Sequence, residues 1–389
     1  MILRKIQLPI IDLQSLLFGF LMFSSTMSYV SILGIKIWYI SLVLCSLYFL
    51  FIRRISMPRS IVYIFIGLAI LASTINIIEF GFRRDFFNYI LGIGLICYSY
   101  TFVKRLGIEK TDFILIKVAI LNVCGVLFNT ITQLSAIKEY LLYSYIDHPV
   151  INTLCTGGPN IDASWVSIYC VAFYKSKYKW IYMMLSLGIN TLYAARVGFL
   201  INFFVLFIFL YQDRKLIYKT ILLILGIIAT CIPYIVQSSA FSKAIARFSE
   251  VGGANDEGGV HRLIMWKSVP DVILNYPYGV GPANTVAALD KVTGVVHRDG
   301  NLHNLLFEYF CSVGVLGGII YVILFFGFLK YLIKYRKNLD TVLLMMACYL
   351  IGGMVQFSGD ESIMFLLVGC CLGSIYIRKS VCSYTSNHT

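Results

Sequence analysis

Apolar stretches of about 16 to 25 residues, the length that lets a helix cross a bilayer, recur along this chain. They lie near 9–29, 34–52, 61–80, 86–103, 112–134, 161–174, 179–195, 197–212, 217–237, 302–328, 339–357 and 361–377. This pattern predicts an all-α polytopic membrane protein of about twelve spans, with residues 1–389 forming a single membrane domain. Two connections exceed what a turn needs. Residues 135–161 carry Tyr140, Tyr143, Tyr145, Asp147 and His148 and the breaker Gly157-Gly-Pro-Asn160. Residues 238–301 form the one long polar stretch, which opens on the glycine-rich segment 252–259. Within it Arg262, Trp266, Val269 and Ile273 share one face at helical spacing. They predict a short amphipathic helix that ends at Pro277 and lies in the membrane interface rather than across it. Gly279 and Gly281 then permit a tight return.

Composition agrees. The chain is 59% hydrophobic and 13% charged, with a mean hydropathy of +0.81; that much apolar surface exceeds what a soluble core of this length holds. A net charge of +13 would suggest nucleic acid in a soluble protein. Here the basic residues sit in short clusters between apolar runs, where they set orientation, and no nucleic-acid partner is expected. Alternate loops differ sharply. One set, including Arg53, Arg54, Lys104, Arg105, Lys110, Lys175, Arg214, Lys334 and Arg378, holds 20 of the 32 Lys and Arg residues, packed into short connections. The positive-inside rule places that set, and both termini, in the cytoplasm. The N-terminal apolar run is too long for a signal-peptide core and lacks a small-residue cleavage site, so it is expected to be retained. His148, His261, His297 and His303 all fall on the opposite, outer side.

Several chemistries find no footing. There is no C-x-x-C, no H-E-x-x-H and no glycine-rich phosphate loop, so neither a metal centre nor a nucleotide site is expected, and no cofactor. Most of the eleven cysteines lie inside apolar runs, where a thiol packs as a small hydrophobe. Asp256-Glu257 and Asp360-Glu361 read as solvated pairs.

The candidate chemistry is therefore extracytoplasmic. Arg196 stands where two spans meet in almost no loop; beside hydrocarbon a guanidinium costs about 2.5 to 3.5 kcal/mol unless it faces a polar cavity. Taken alone it could equally snorkel at a helix end. Arg262 and Trp266 read either as interface anchors or as a grip on lipid phosphate. His303 opens the tenth span and could take a proton from a hydroxyl, or bond a loop carbonyl. Glu308, a turn further in, needs a cation or a proton, and Arg196 is its candidate partner. Arg247, Arg298 and His261 complete a set of candidate substrate-binding groups on the long loop.

Taken together, Thr191-Leu-Tyr-Ala-Ala-Arg196, Arg262-x-x-x-Trp266 with Pro277-Tyr-Gly-Val-Gly281, and His303-Asn-x-x-x-Glu308 with Gly314-x-x-Gly317 resemble the O-antigen polymerase (Wzy) and O-antigen ligase superfamily of bacterial envelopes. Gly158-Pro-Asn160 fits the same pattern, and the likeness covers about residues 155–325. The resemblance implies a GT-C-like enzyme of the inner membrane whose site faces the periplasm. Its reaction would be a metal-independent, inverting glycosyl transfer from an undecaprenyl-pyrophosphate donor. By position, Arg196 and Arg262 would hold the pyrophosphate, and His303 would orient or deprotonate the acceptor hydroxyl. A polysaccharide chain-length regulator is an implied partner. One departure is Ala194-Ala195, where a serine commonly precedes the arginine.

Polymerase is favoured over ligase for two reasons. The aromatic loop 135–161 would add a sugar surface, and Arg247 with Gly258 fits the R-x10-G pattern of polymerase outer loops. Readings of another class are a lipid-linked oligosaccharide flippase, which would usually show related halves, and a scaffold whose arginines are anchors only.

Overall fold

The computed structural model describes residues 12–52, 55–56, 59–81, 86–142, 151–155, 158–212, 257–297, 300–335, 339–357 and 361–386. Apart from one two-residue hairpin, Ser31–Ile32 against Ile35–Lys36, every regular element described is helical. The first helices are α1 (Leu13–Thr26), α2 (Ile37–Ile52), α3 (Arg59–Ile75), α4 (Ile77–Phe80), α5 (Phe86–Leu106), α6 (Ile108–Thr132) and α7 (Leu134–Leu142). Next come α8 (Pro159–Cys170), continued by a 3-10 turn at Val171–Phe173, α9 (Lys179–Leu192) and α10 (Arg196–Gln212). The long loop contributes α11 (Glu257–Asn275) and α12 (Thr285–Thr293). The chain then closes with α13 (Leu305–Ser312), α14 (Gly314–Lys334), α15 (Thr341–Gly353) and α16 (Ser362–Ser386).

Helices occupy eleven of the twelve apolar stretches, and the remaining one, 217–237, lies outside the described residues. Three described helices are long and apolar enough to cross a membrane: Ile108–Thr132, Gly314–Lys334 and Ser362–Ser380. The shorter α1, α2, α10 and α15 are apolar as well, so the described residues are consistent with an all-α membrane protein. Two expected spans break. The stretch 61–80 stops at Ile75 and restarts as α4, and 302–328 divides into α13 and α14 at Gly314, whose φ is +76°.

Packing follows small residues and caps. α16 lies along α5 so closely that a Cβ on Gly369 would stand 2.1 Å from Ser99 Oγ and 2.3 Å from the Ile96 carbonyl. Gly92 and Gly373 extend the seam, as small residues do between helices in membranes. α8 is the central element: from Ile161 to Cys170 every residue is buried.

The two sets of connections gather at opposite ends of the bundle. At one end Lys110 pairs with Asp12 at 2.6 Å, Lys175 with Asp112 at 3.5 Å and Arg378 with Asp340 at 3.2 Å. Asp112 also accepts the Thr341 amide at 3.1 Å, and Asp340 caps α15 through the Leu343 amide at 3.0 Å. At the other end Asn129 and Gln133 bind the Asn152 carbonyl, and Tyr29 donates its amide to Leu154.

The long connections hold more helix than expected. α7 fills the start of 135–161, and its Tyr140 is fully buried, so this tyrosine offers no surface to a sugar. Tyr143, Tyr145, Asp147 and His148 lie outside the described residues, as do Asp256 and Asp360. α11 runs to Asn275 with Pro270 inside it, and its buried stripe is Met265, Val269 and Val272, with Trp266 and Ile273 flanking. The stripe is rotated from the face expected because a second helix, α12, covers it through Ala288 and Leu289. Glu361 is no solvated acid: it accepts from the buried Tyr349 hydroxyl at 2.5 Å.

Candidate active site

The turn Tyr276-Pro-Tyr-Gly-Val-Gly281 docks the outer helices onto the break between α13 and α14. Val280 and Gly281 donate their amides to the Cys311 and Ser312 carbonyls, each at 2.9 Å, and Val315 returns a bond to the Pro277 carbonyl at 2.9 Å. Gly279 and Gly314 face each other at positive φ, and a Cβ on Gly279 would stand 2.5 Å from the Gly314 nitrogen. Only glycine fits both positions. α4 steadies the same unit: Asn76 donates to the Gly279 carbonyl, Tyr276 to Glu79, and Lys291 pairs with Glu79 at 2.6 Å. Burial and the Glu79 carboxylate push the Tyr276 phenol up to about 12.

His303 is reached through a chain of bonds at Leu302. Trp266 Nε1 donates to the Leu302 carbonyl at 2.7 Å, and the Leu302 amide donates to Glu308 Oε2 at 3.1 Å. Glu308 Oε1 accepts from Thr285 Oγ1 at 2.5 Å, so its two oxygens tie α12 to the α13 approach. These two bonds of Glu308 hold the loop. Held this way, His303 adopts φ +51°, a region that a residue with a Cβ occupies only when its surroundings over-determine it. Its amide donates to Asn301 Oδ1 at 2.9 Å. Asn304 caps α13, accepting from the Leu306 and Phe307 amides at 3.1 Å each.

These groups converge on the C-terminal end of α15. Directly after α15, three consecutive carbonyls of the turn 354–356 are taken by outer-loop side chains: Met354 O by Asn304 Nδ2 at 2.9 Å, Val355 O by Arg262 Nη1 at 2.9 Å and Gln356 O by His303 Nδ1 at 3.3 Å. Arg262 Nη2 also reaches Gln356 Oε1 at 3.3 Å. Because a carbonyl only accepts, His303 Nδ1 is the donor in this contact.

Residues 180–322 match the family model described as O-antigen ligase. The match supports the O-antigen polymerase and ligase superfamily resemblance read from the sequence. No curated protein matches the chain. The O-antigen ligase match contains Arg196, Arg262, Trp266, His303 and Glu308 and ends before the 354–356 turn on which Arg262 and His303 meet.

Arg196 enters this region from another side. It opens α10 after a tight turn in which Ala194 has φ +49° and the Ala195 amide returns to the Asn190 carbonyl at 2.9 Å. Tyr193 meets Thr130 near the end of α6 at 2.7 Å. Five residues on, Ile201 packs against Gly352. At 1.5 Å of rise per residue, Arg196 stands about 7.5 Å beyond Ile201, toward the same end as Gln356.

The remaining candidates separate. His261 stands beside His297, ring centres 5.3 Å apart, and His297 Nδ1 meets Asp290 at 2.7 Å. Arg247 and Arg298 lie outside the described residues. Sequence reasoning missed Gln356, Thr285 and Asp290. Gln356 carries one signal in hindsight, as a lone amide ending the apolar run of α15.

Proposed function

We propose that this chain is an extracytoplasmic glycosyltransferase that acts on undecaprenyl-pyrophosphate-linked glycans, and that it extends polysaccharide as an O-antigen or capsular polymerase. The observation that carries the reading is the meeting of Arg262 and His303 on one turn, 354–356, where the guanidinium and the imidazole bind neighbouring carbonyls. The acceptor hydroxyl attacks the anomeric carbon and gives its proton to His303 Nε2. The bond from that carbon to the diphosphate oxygen breaks with its electron pair, and Arg262 with Arg196 offsets the charge that grows there. Diphosphate is already a good leaving group, so the protein need only place the two substrates and stabilise that charge. The site then faces the periplasm from the inner membrane, with both termini cytoplasmic.

The second reading is ligase, transferring the polysaccharide to lipid A-core; the family match is compatible with either. Arg247 with Gly258 favours polymerase. The surface polysaccharide of a deletion strain separates the two: core carrying a single repeat unit is expected, and bare core would make the protein a ligase. A flippase gains no support from a match to a family of glycosyl-transferring enzymes.

A further inference from the structure

We propose that Gln356 is a positioning residue of the transfer site, so that the last outer turn, 354–356, is a working part of it; this rests on the glycosyltransferase reading above. Gln356 meets both groups assigned to the chemistry. Its side-chain oxygen accepts from Arg262 Nη2 at 3.3 Å, and its backbone oxygen accepts from His303 Nδ1 at 3.3 Å. One residue thus fixes the spacing between the cation and the base, which are contributed by segments some forty positions apart in the chain.

Gln356 is itself held. It is 9% exposed, and its amide donates to the Gly352 carbonyl at 2.9 Å. The next residue, Phe357, closes on Gly352, where a Cβ would stand 2.6 Å from the ring, and stacks on the buried Tyr349 with ring centres 4.8 Å apart. The turn is therefore a rigid platform, as a positioning group requires, because an error of about 1 Å in a reacting geometry can cost a hundredfold in rate. The neutral amide also suits the place. A carboxylate would hold Arg262 equally well, yet it would set a negative charge beside the anion that the arginine is to receive.

Purified protein in detergent, supplied with a synthetic lipid-linked repeat unit, tests this through Gln356→Ala and the near-isosteric Gln356→Glu. Gln356→Ala is expected to lower kcat about tenfold, the worth of one hydrogen bond to a charged group, with KM changed less than twofold. Gln356→Glu is expected to keep kcat within about threefold while raising the donor KM, a split that loss of folding does not produce. Combined with Arg262→Ala, Gln356→Ala should cost less than the product of the two separate losses. The inference is overturned if Gln356→Ala and Gln356→Glu both keep wild-type kcat and KM, or if the double-variant losses multiply, while Arg262→Ala and His303→Ala are strongly impaired. Wild-type rates in Arg262→Ala and His303→Ala would instead overturn the glycosyltransferase reading on which it rests.

Discussion

The two ends of the bundle hold their cations in different settings. At the basic end Lys110 meets Asp12, Lys175 meets Asp112 and Arg378 meets Asp340. At the other end Arg262 reaches a backbone carbonyl and an amide oxygen of one turn, 354–356. A carboxylate cancels the charge it orients, whereas a neutral oxygen orients a guanidinium without cancelling it. The first arrangement ties loops together. On the proposed function, the second holds the guanidinium where an anionic substrate would meet it.

The contrast can be broken most strongly at Arg262 and His303. Replacing either by Ala should lower chain extension by about 10²- to 10³-fold, by analogy with loss of one oxyanion donor. Surface-polysaccharide ladders from strains expressing each variant at normal level would show it, and unchanged ladders would return these residues to mere anchors. Next in size is Gly279→Ala. Its Cβ would press on the Gly314 backbone at a positive φ, and a cost of about 4 kcal/mol is expected, read as a large drop in melting temperature together with activity. A third change sharpens the comparison at the basic end. Arg378→Ala strands the Asp340 carboxylate, which is 1% exposed, and should cost about 3 kcal/mol of stability while leaving kcat per folded molecule unchanged.

The smallest effect belongs to Glu79, a carboxylate at the site end that does meet a cation. Lys291, and then Tyr276, hold its carboxyl below the ordinary glutamate range. Its contribution is thus present above that range and is lost as pH falls through the lowered value. Glu79→Gln should shrink the acid-side fall in melting temperature, by less than the Arg378→Ala shift because both partners are solvated.

Much of this organisation was legible in the sequence because bilayer length and loop charge are strong, additive signals. The apolar stretches foretold most of the described helices, and helical spacing placed Arg262 and Trp266 on one helix of the long loop. What escaped has physical causes. The break between α13 and α14 hides in an apolar run, since glycine interrupts a helix only once Gly279 arrives from elsewhere to occupy the gap. α12 was unmarked because its apolar face is only Ala288 and Leu289 beside Thr285. Thr285 and the Leu302 amide both bind Glu308, and neither is visible as its partner in a one-dimensional reading. Gln356 lies near the end of the apolar stretch 339–357, and the outer loop that it joins lies far away in sequence.

The central claim is that Arg262 and His303 act together on one lipid-linked substrate. Conversion of a synthetic undecaprenyl-pyrophosphate-linked repeat unit into longer chains by the purified protein in detergent tests it most directly, since detergent offers no second compartment and transport alone yields no product. The account predicts chain growth that Arg262→Ala and His303→Ala each reduce at least a hundredfold, with the double variant losing little more than the worse single one. Chain growth undiminished in both single variants would contradict it.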